Sequence, residues 1–301
     1  MRKGKDIPKR QPNKPNKVLK VTEKTELMKF LIASLPDKNR NNIKTLLRDR
    51  HITVGGKAES QFNFPLEPGQ TVEVRWSKVP EAKAYRGISI VFEDDDLIVI
   101  DKHSGTLSVA TDKEKRDTAY SMLSTHVKMQ NADNKIFVVH RLDKDTSGLM
   151  VYAKNMKTQK LLQENWNDAV KERAYLAVVE GSVVKEKDTI QSYLKETSAL
   201  IVHSSQNPAH GVLSITHYEV IKRSKDCSLL KVNLETGRKN QVRVHMKDIK
   251  HPVTGDKKYG AKFDPIGRLG LHAWILTFTH PVTGKEMVFK TPVPRKFLRL
   301  F

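Results

Sequence analysis

The stretch Phe137–Asn155, "FVVHRLDKDTSGLMVYAKN", places a polar loop between two apolar runs. The apolar runs predict two strands, and the loop between them contains the carboxylates Asp143 and Asp145. His140 and Arg141 come shortly before these carboxylates. Loops between strands are ordinarily turns, in which Asp, Ser and Gly residues shape the backbone. The chemical question is whether one of the two carboxylates is also a reactive group.

The composition restricts the partners that the chain can bind. Its 301 residues include 54 Lys and Arg against 34 Asp and Glu, which gives a formal net charge of +20. Such a charge favours polyanions: RNA, DNA or an anionic membrane surface. No apolar run approaches the length of a spanning helix, about 18 residues, so we expect no membrane association. The single Cys227 excludes an internal disulfide and a thiolate metal site, and a reducing cytoplasm is the expected location.

Composition and pattern divide the chain into three segments. Residues 1–20 are rich in Lys, Pro and Asn, and they predict a disordered basic arm that is either a solvated tail or a nucleic-acid contact. Residues 21–78 predict a small module of two short helices followed by short strands around tight turns. In residues 79–301 many strands are interspersed irregularly with helices, which favours an α+β domain on a largely antiparallel sheet.

The second predicted helix of the small module has a basic face, which would contact phosphates without reading bases. A solvated surface helix is the alternative explanation. The candidate RNA-binding residues are Arg40, Lys44, Arg48 and Arg50 of this helix region and Lys57 of the turn "GGK".

The large domain contains, in this order, "HRLDKDTSGLMVYAKN", "ERAYLAVVEG", "LLKVNLETGRKNQVRVHMKDIKHPVTGDKKYG" and "RLGLHAWILTFTHP". Together these segments resemble the successive motifs of the RluA-type family of pseudouridine synthases, over roughly residues 88–295. The segment "RNNIKTLLRDRHITVGGKAE", with "LEPGQTVEV" after it, resembles the RNA-binding module shared by a small-subunit ribosomal protein and tyrosyl-tRNA synthetases. The resemblance implies a catalytic domain at 79–301 that isomerises uridine in structured RNA without cofactor or metal. It implies ribosomal RNA as the first candidate partner and transfer RNA as the second, and we expect a monomer.

The resemblance also nominates the catalytic residues. It implies that Asp143 is the carboxylate that reacts at the target uridine, that Tyr175 in "RAYLAVVEG" lies at the base, and that Arg243 in "QVRVH" is the cation beside Asp143. Arginine suits this task because its planar fork can meet a carboxylate through two parallel hydrogen bonds. A phosphate contact is the alternative for Arg243, and an ordinary core position is the alternative for a Tyr in a strand.

Two further residues are candidates for binding the substrate. A uridine inside folded RNA must be extruded from its stack, at a cost of a few kcal/mol, and Arg141 is the candidate for filling the gap. Leu271 in "GLHAW" matches an apolar position near the family's site, although core packing explains it equally well. Asp145, in the turn "DTSG", is expected to accept hydrogen bonds from its own turn and to shape the loop.

The chain departs from the family pattern in two places. "DKHSG" stands where the family usually has "NKPAG", and "GRKNQ" stands where it has "GRTHQ", which introduces Lys239 and Asn240. Because neither change touches the three nominated catalytic residues, we expect the reaction to be retained and the choice of substrate to differ.

Two other functions remain open at the level of the sequence. The first is a non-catalytic RNA-binding or ribosome-assembly factor on the same scaffold, which would have no chemical need for the nominated residues. The second is a glycoside or nucleoside hydrolase that uses Asp143 and Asp145 as a carboxylate pair, roughly 5–10 Å apart. A hydrolase of small sugars has no use for a strongly basic chain. A metal site at His203, His210 and His217 is not expected, because Pro208 and Gly211 interrupt any helix that would align them.

Overall fold

The computed structural model describes residues 16–48, 51–74, 85–111, 114 and 116–301. The chain divides into two compact units, Met1–Lys83 and Ala84–Phe301. The boundary predicted between residues 78 and 79 lies outside the described residues.

The first unit is built from two short helices and short strands. Its core consists of side chains from both helices and from the strands, and among them Leu31, Ile43 and Val72 are fully buried. Its elements are β1 (Lys17–Lys20), β2 (Thr25–Glu26), α1 (Leu27–Ser34), α2 (Arg40–Arg48), β3 (Ile52–Val54), β4 (Lys57–Ala58), β5 (Pro65–Leu66) and β6 (Thr71–Val74). Strands β1, β6, β3 and β4 form an antiparallel sheet in that order, and β2 pairs with β5.

The prediction that residues 1–20 form a disordered arm is wrong for residues 17–20. Residues 17–20 form β1 and pair antiparallel with β6, with Lys17 opposite Val74. Leu19 packs against the core of the unit. The contacts of this apolar side chain stabilise the strand despite the charged residues around it. Residues 1–15 lie outside the described residues.

The second unit is an α+β domain, as predicted. Its elements are β7 (Ile88–Glu93), β8 (Leu97–Lys102), α3 (Ala119–Gln130), β9 (Phe137–Val138), β10 (Ser147–Ala153), α4 (Met156–Glu164), α5 (Trp166–Ala169), β11 (Val170–Glu180), β12 (Lys187–Glu196), β13 (Val202–Ser205), β14 (Val212–Arg223), β15 (Cys227–Leu234), α6 (Gln241–Asp248), β16 (Leu271–Thr279), β17 (Glu286–Lys290) and α7 (Arg295–Leu298). None of the helices in the described part of the chain has the length and apolar character needed to cross a membrane.

Within the described residues these strands form one eleven-stranded sheet. The order is β13-β12-β14-β15-β11-β16-β10-β8-β7, with β17 beside β16 and β9 beside β10. All neighbours are antiparallel except β10 and β16, which pair in parallel through Ser147 with His272 and Gly148 with Ala273. The fold class, a largely antiparallel mixed sheet, is confirmed. The parallel junction in the middle of the sheet lies directly after the polar loop that contains Asp143.

The junction requires a glycine at position 148. Gly148 has a φ of +115°, and a Cβ built on it would lie 2.1 Å from the carbonyl oxygen of Ala273. Beside it, the Oγ of Ser147 lies 2.8 Å from Nδ1 of His272 and accepts a hydrogen bond from Arg268 at 2.8 Å. The start of β10, and with it the end of the polar loop, is therefore fixed against β16.

We expect Gly148→Ala to lower the free energy of unfolding by about 3 kcal/mol or more, because a backbone collision adds to the conformational strain. Urea denaturation measures this loss. The matched control is Gly260→Ala, where φ is +89° but nothing lies within 4 Å of the added Cβ, and where strain alone costs about 1 kcal/mol. Equal losses in the two variants would contradict the role assigned to the close approach at Ala273.

Candidate active site

The polar loop between β9 and β10 is held in place by hydrogen bonds to side chains of the segment 102–108. The fully buried Lys102 donates hydrogen bonds from Nζ to the carbonyl oxygens of Thr106 at 2.8 Å, Lys144 at 3.0 Å and His103 at 3.2 Å. Ser108 Oγ donates to the carbonyl oxygen of Leu142 at 2.7 Å and accepts from its N–H at 3.1 Å. The backbone is thus fixed on both sides of Asp143. Of these two residues, Lys102 belongs to the segment "DKHSG" and Ser108 follows that segment.

The charge of Lys102 is also set by its surroundings. Burial lowers the pKa of Lys102 to about 8, and the nearby negative charges of Asp145 and Asp143 oppose this shift. A lysine ammonium has three donors, and here all three meet carbonyl oxygens. Lys102 is therefore a support of the loop, which sequence analysis did not identify.

Asp145 supports the loop in a different way from the one expected. Its backbone carbonyl accepts a hydrogen bond from Ser104 Oγ at 2.8 Å. Its side chain is exposed, and in the described part of the chain no hydrogen-bond donor reaches its carboxylate. The prediction that this carboxylate accepts hydrogen bonds from its own turn is wrong, because the side chain points to solvent and the backbone carries the contact.

His140 fixes the other end of the loop. Its Nε2 accepts a hydrogen bond from the N–H of Val151 at 3.1 Å, and its ring lies 4.9 Å from that of Trp166. Burial and then the positive charge of Arg173 lower the pKa of His140 to about 3. The neutral ring is the form that can accept this bond. Sequence analysis assigned no role to this first residue of "HRLD".

Asp143 and Arg243 meet, as the resemblance implied. Nη1 of Arg243, on α6, lies 3.1 Å from Oδ2 of Asp143, and the side chains are 14% and 29% exposed. The bidentate contact expected for this pair is instead made with Asp256. Arg243 donates to its two carboxylate oxygens from Nε at 2.7 Å and from Nη2 at 2.8 Å. Asp143 therefore receives one hydrogen bond from a guanidinium that a second carboxylate orients.

Two further residues, Asn240 and Tyr259, contact this guanidinium and each other. Asn240 Oδ1 accepts from Nη1 of Arg243 at 2.9 Å, and Asn240 Nδ2 donates to the hydroxyl of Tyr259 at 3.0 Å. The Tyr259 ring centroid lies 5.0 Å from Cζ of Arg243, within cation–π distance. Burial would lower the pKa of Arg243, but hydrogen bonds and charges from Asp256 and then Asp143 outweigh burial and raise it. The arginine is thus kept charged in a half-buried position.

Asn240 and Asp256 were not identified from the sequence as site residues. Asn240 adopts the left-handed conformation, with a φ of 57°, directly before α6. Asp256 is 1% exposed in its side chain and lies in the turn "HPVTGDK", which has the pattern of an ordinary polar turn. Lys239, the other changed residue of "GRKNQ", forms an ion pair with Glu196. The only signal for Asp256 was its position inside the third motif, near the end of that segment.

All five residues predicted to be catalytic or to bind the substrate line one cavity of about 290 Å³: Arg141, Asp143, Tyr175, Arg243 and Leu271. Tyr175 lies on β11, where the pairing with β16 shifts register between Ala174 and Tyr175. Burial raises the pKa of Tyr175 to about 12, Arg173 opposes the shift, and the charge of Asp143 adds to it. The cavity therefore presents an accessible carboxylate, a phenol that stays protonated at neutral pH, and cationic and apolar walls.

The profile of the family described as RNA pseudouridylate synthase matches residues 96–248. This chain belongs to that family. The RNA pseudouridine synthase YlyB of Bacillus subtilis is 33% identical over 288 residues, which are 90% of this chain and 91% of that protein. The ribosomal large subunit pseudouridine synthase D of Pasteurella multocida is 29% identical over 291 residues, 90% of this chain and 88% of its own. The chain is thus an RNA pseudouridine synthase, an enzyme.

A solved structure shows the same fold. The human RNA pseudouridylate synthase domain containing 4 protein superposes with a TM-score of 0.60 at 23% identity, over 72% of this chain and 92% of that one.

The other predicted residues of the pseudouridine synthase lie elsewhere. In the first unit, Arg40, Lys44 and Arg48 are exposed and lie four residues apart along α2, which buries Ile43 and Leu47 beside them. Arg50 lies outside the described residues, and of Lys57 the structure describes the backbone, in β4. His203 lies on β13, His210 in a short turn, and His217 on β14 beside Glu235. Among the residues that the structure describes, no group of three or more His, Cys, Asp and Glu could hold a metal ion.

We expect the stability of the pseudouridine synthase to depend on pH through His140. The folded protein keeps this ring neutral down to about pH 3, whereas the unfolded chain takes up a proton below about pH 6.5. The unfolded state therefore binds more protons, and the free energy of unfolding falls as the pH falls. His140 contributes about 2 kcal/mol to this loss between about pH 7 and about pH 5.

Urea denaturation of the wild type and His140→Gln at the two pH values measures this contribution, since Gln can accept a hydrogen bond and does not titrate. The loss should shrink in His140→Gln and stay at the wild-type size in His203→Gln, which changes an exposed histidine. The same pH dependence in the wild type and His140→Gln would contradict the assignment of a neutral, half-buried His140.

Proposed function

We propose that this pseudouridine synthase isomerises one or more uridines of large-subunit ribosomal RNA, and that Asp143 attacks the flipped-out nucleotide. The observation that carries the proposal is the position of Asp143. Its carboxylate lies in the wall of a cavity that also contains Tyr175, and it receives a hydrogen bond from Arg243 at 3.1 Å. The large-subunit target is supported by the names of relatives from several bacteria, including one from Neisseria meningitidis that is 31% identical over 288 residues.

The reaction breaks the bond between C1′ of the ribose and N1 of uracil, and forms a bond between C1′ and C5. The proton on C5 is lost and N1 gains one, so atoms balance without a redox step. An ionised carboxylate beside the nucleotide can act as the nucleophile and later assist proton removal. Arg243 supplies a positive charge beside Asp143 and donates a hydrogen bond to its carboxylate.

The other cavity residues would bind the uridine. Tyr175 offers an aromatic face to the base and, as a protonated phenol, a hydroxyl that can donate a hydrogen bond. Leu271 is 3% exposed and belongs both to the cavity wall and to the hydrophobic core, so both explanations offered from the sequence apply to it. Arg141 is exposed at the cavity, where it can occupy the space that the extruded uridine leaves in the RNA.

The basic face of α2 would add affinity for RNA. Arg40 and Lys44 are exposed and lie four residues apart, so they face the same side of the helix. Contacts of this kind bind phosphates and carry no information on sequence. We therefore assign the choice of uridine to the second unit and general affinity for RNA to the first.

Tritium release tests the proposal. We expect the enzyme to release tritium to water from a large-subunit ribosomal RNA transcript labelled at C5 of uracil, and to release far less from transfer RNA transcripts. Asp143→Asn should abolish release, because it removes the nucleophile, while the affinity for RNA stays within about threefold of the wild type.

The matched control is Asp145→Asn, which changes an exposed carboxylate two residues away and should retain release. Full release by Asp143→Asn would overturn the assignment of the nucleophile. Faster release from transfer RNA would overturn the target. Liberation of free uracil would show hydrolysis in place of isomerisation.

A further inference from the structure

A second cavity of about 270 Å³ adjoins the one that contains Asp143. Part of its wall is apolar and comes from β10 and β16. Its charged side chains are Arg141, Arg173 and Arg238, of which Arg141 and Arg238 also line the first cavity. Tyr175 lies at both cavities, so whatever fills the second one is a direct neighbour of the target nucleotide.

Arg173 is fixed in this second cavity by the backbone. Its Nη2 donates to the carbonyl oxygens of Glu235 at 3.1 Å and Leu234 at 3.3 Å. Gly237 leaves the space that the guanidinium occupies, because a Cβ at this position would lie 2.5 Å from Nη1 of Arg173. The orientation of the planar fork is therefore set before any ligand binds.

Among the described residues, the charge of Arg173 has no ionic partner. The carboxylates in this part of the chain form ion pairs with Arg223 and Arg243 but not with Arg141, Arg173 or Arg238. Trp166 offers little compensation, since its ring centroid is 5.9 Å from Cζ of Arg173, at the outer limit of about 6 Å for a cation–π contact. The second cavity thus holds uncompensated positive charge.

Arg243 lines the first cavity and Arg173 the second, Tyr175 lines both, and the two arginines differ in their ionic partners. Arg243 is half-buried against two carboxylates, which raise its pKa. Arg173 is also half-buried, and burial lowers its pKa against the opposing effect of Tyr175. A buried cation without a counter-charge is costly unless an anion joins it. The comparison indicates that an anion is missing beside Arg173.

RNA supplies such an anion at this place. Flipping a uridine rotates its backbone and carries the neighbouring phosphates toward the protein. The side chains that line the cavity include three arginines and no carboxylate, so the cavity suits a phosphate better than an uncharged base. An arginine fork can bind phosphate oxygens through two parallel hydrogen bonds.

We propose that the second cavity is a phosphate subsite, in which Arg173 anchors the phosphodiester next to the flipped uridine and Arg141 and Arg238 complete the charge around it. The identity of this ligand as RNA rests on the proposed function. The subsite holds the backbone in its rotated form, and it acts on binding of the flipped nucleotide more than on the chemical step.

The first arm of the test is RNA binding across a salt series. The affinity for a large-subunit ribosomal RNA transcript is measured by filter binding between about 50 mM and about 200 mM salt. Arg173→Gln should weaken binding by about tenfold and make the slope of log affinity against log salt shallower by about 0.7–0.9, the loss of one phosphate contact. Arg173→Lys keeps the charge and should retain the slope while losing part of the affinity. Arg299→Gln, which removes an exposed charge on the same unit, is the control and should match the wild type.

The second arm is steady-state tritium release on the same transcript. Arg173→Gln should raise KM by about tenfold while kcat falls less than about threefold. Wild-type affinity and slope in Arg173→Gln would overturn the subsite. The subsite would also be overturned if Arg173→Lys and Arg173→Gln lost affinity equally and the salt slope stayed unchanged. That result would indicate that Arg173 has a structural role only. If Arg173→Gln does not fold, Arg238→Gln takes its place, because the Arg238 side chain is exposed. This variant should make the salt slope shallower by the same amount, and an unchanged slope would overturn the subsite.

The two arms separate this proposal from the proposed function. Failure of the wild type to release tritium from either RNA would overturn the proposed function, whereas the binding arm needs no turnover and still tests the subsite. Tritium release by the wild type, together with an unchanged salt slope in the Arg173 variants, would overturn the subsite alone.

Discussion

The guanidinium of Arg243 lies between two carboxylates, and the candidate site depends on this arrangement. Asp256 is almost fully buried and meets Nε and Nη2 together, which leaves Nη1 directed at Asp143 and Asn240. A buried carboxylate and a buried guanidinium each carry a large desolvation cost, which close pairing with full hydrogen bonding offsets. Because Asp256 takes the bidentate contact, the carboxylate of Asp143 keeps an oxygen free for the substrate. The pair is therefore asymmetric, with one carboxylate that orients and one that can react.

The rest of the unit brings Asp143 to this arginine from about a hundred residues away in the chain. The parallel junction of β10 and β16 fixes the C-terminal end of the loop, and Gly148 permits the close approach that the junction needs. Lys102 and His140 hold the loop from two other sides through backbone groups. Each of these contacts fixes backbone position, so the precision of the site comes from the central sheet. Arg173 has no such carboxylate partner in the described part of the chain, and it is the arginine that we propose to bind an anionic ligand.

The sequence predicted the residues that line the cavity better than the residues that orient them. Asp143, Tyr175 and Arg243 have side chains whose chemistry the proposed reaction needs, and they stand in long motifs, so their types and spacing were informative. Asp256 lies in a segment that has the pattern of a polar turn, and its function arises only when α6 packs against that turn. The segment "QVRVH" alternates like a strand yet forms the start of α6, after Asn240 in a left-handed conformation. The pairing of β1 likewise depends on a partner more than fifty residues away. Roles of this kind are tertiary and leave no local pattern.

The most direct test of the account is a double-mutant cycle between Asp256 and Arg243, measured as the single-turnover rate of tritium release. If Asp256 acts by orienting Arg243, Asp256→Asn should slow the wild type by about a hundredfold. The same change in an Arg243→Lys background should slow it by less than about threefold, because there is no fork left to orient. An equal factor in both backgrounds would contradict the account, since Asp256 would then act independently of Arg243.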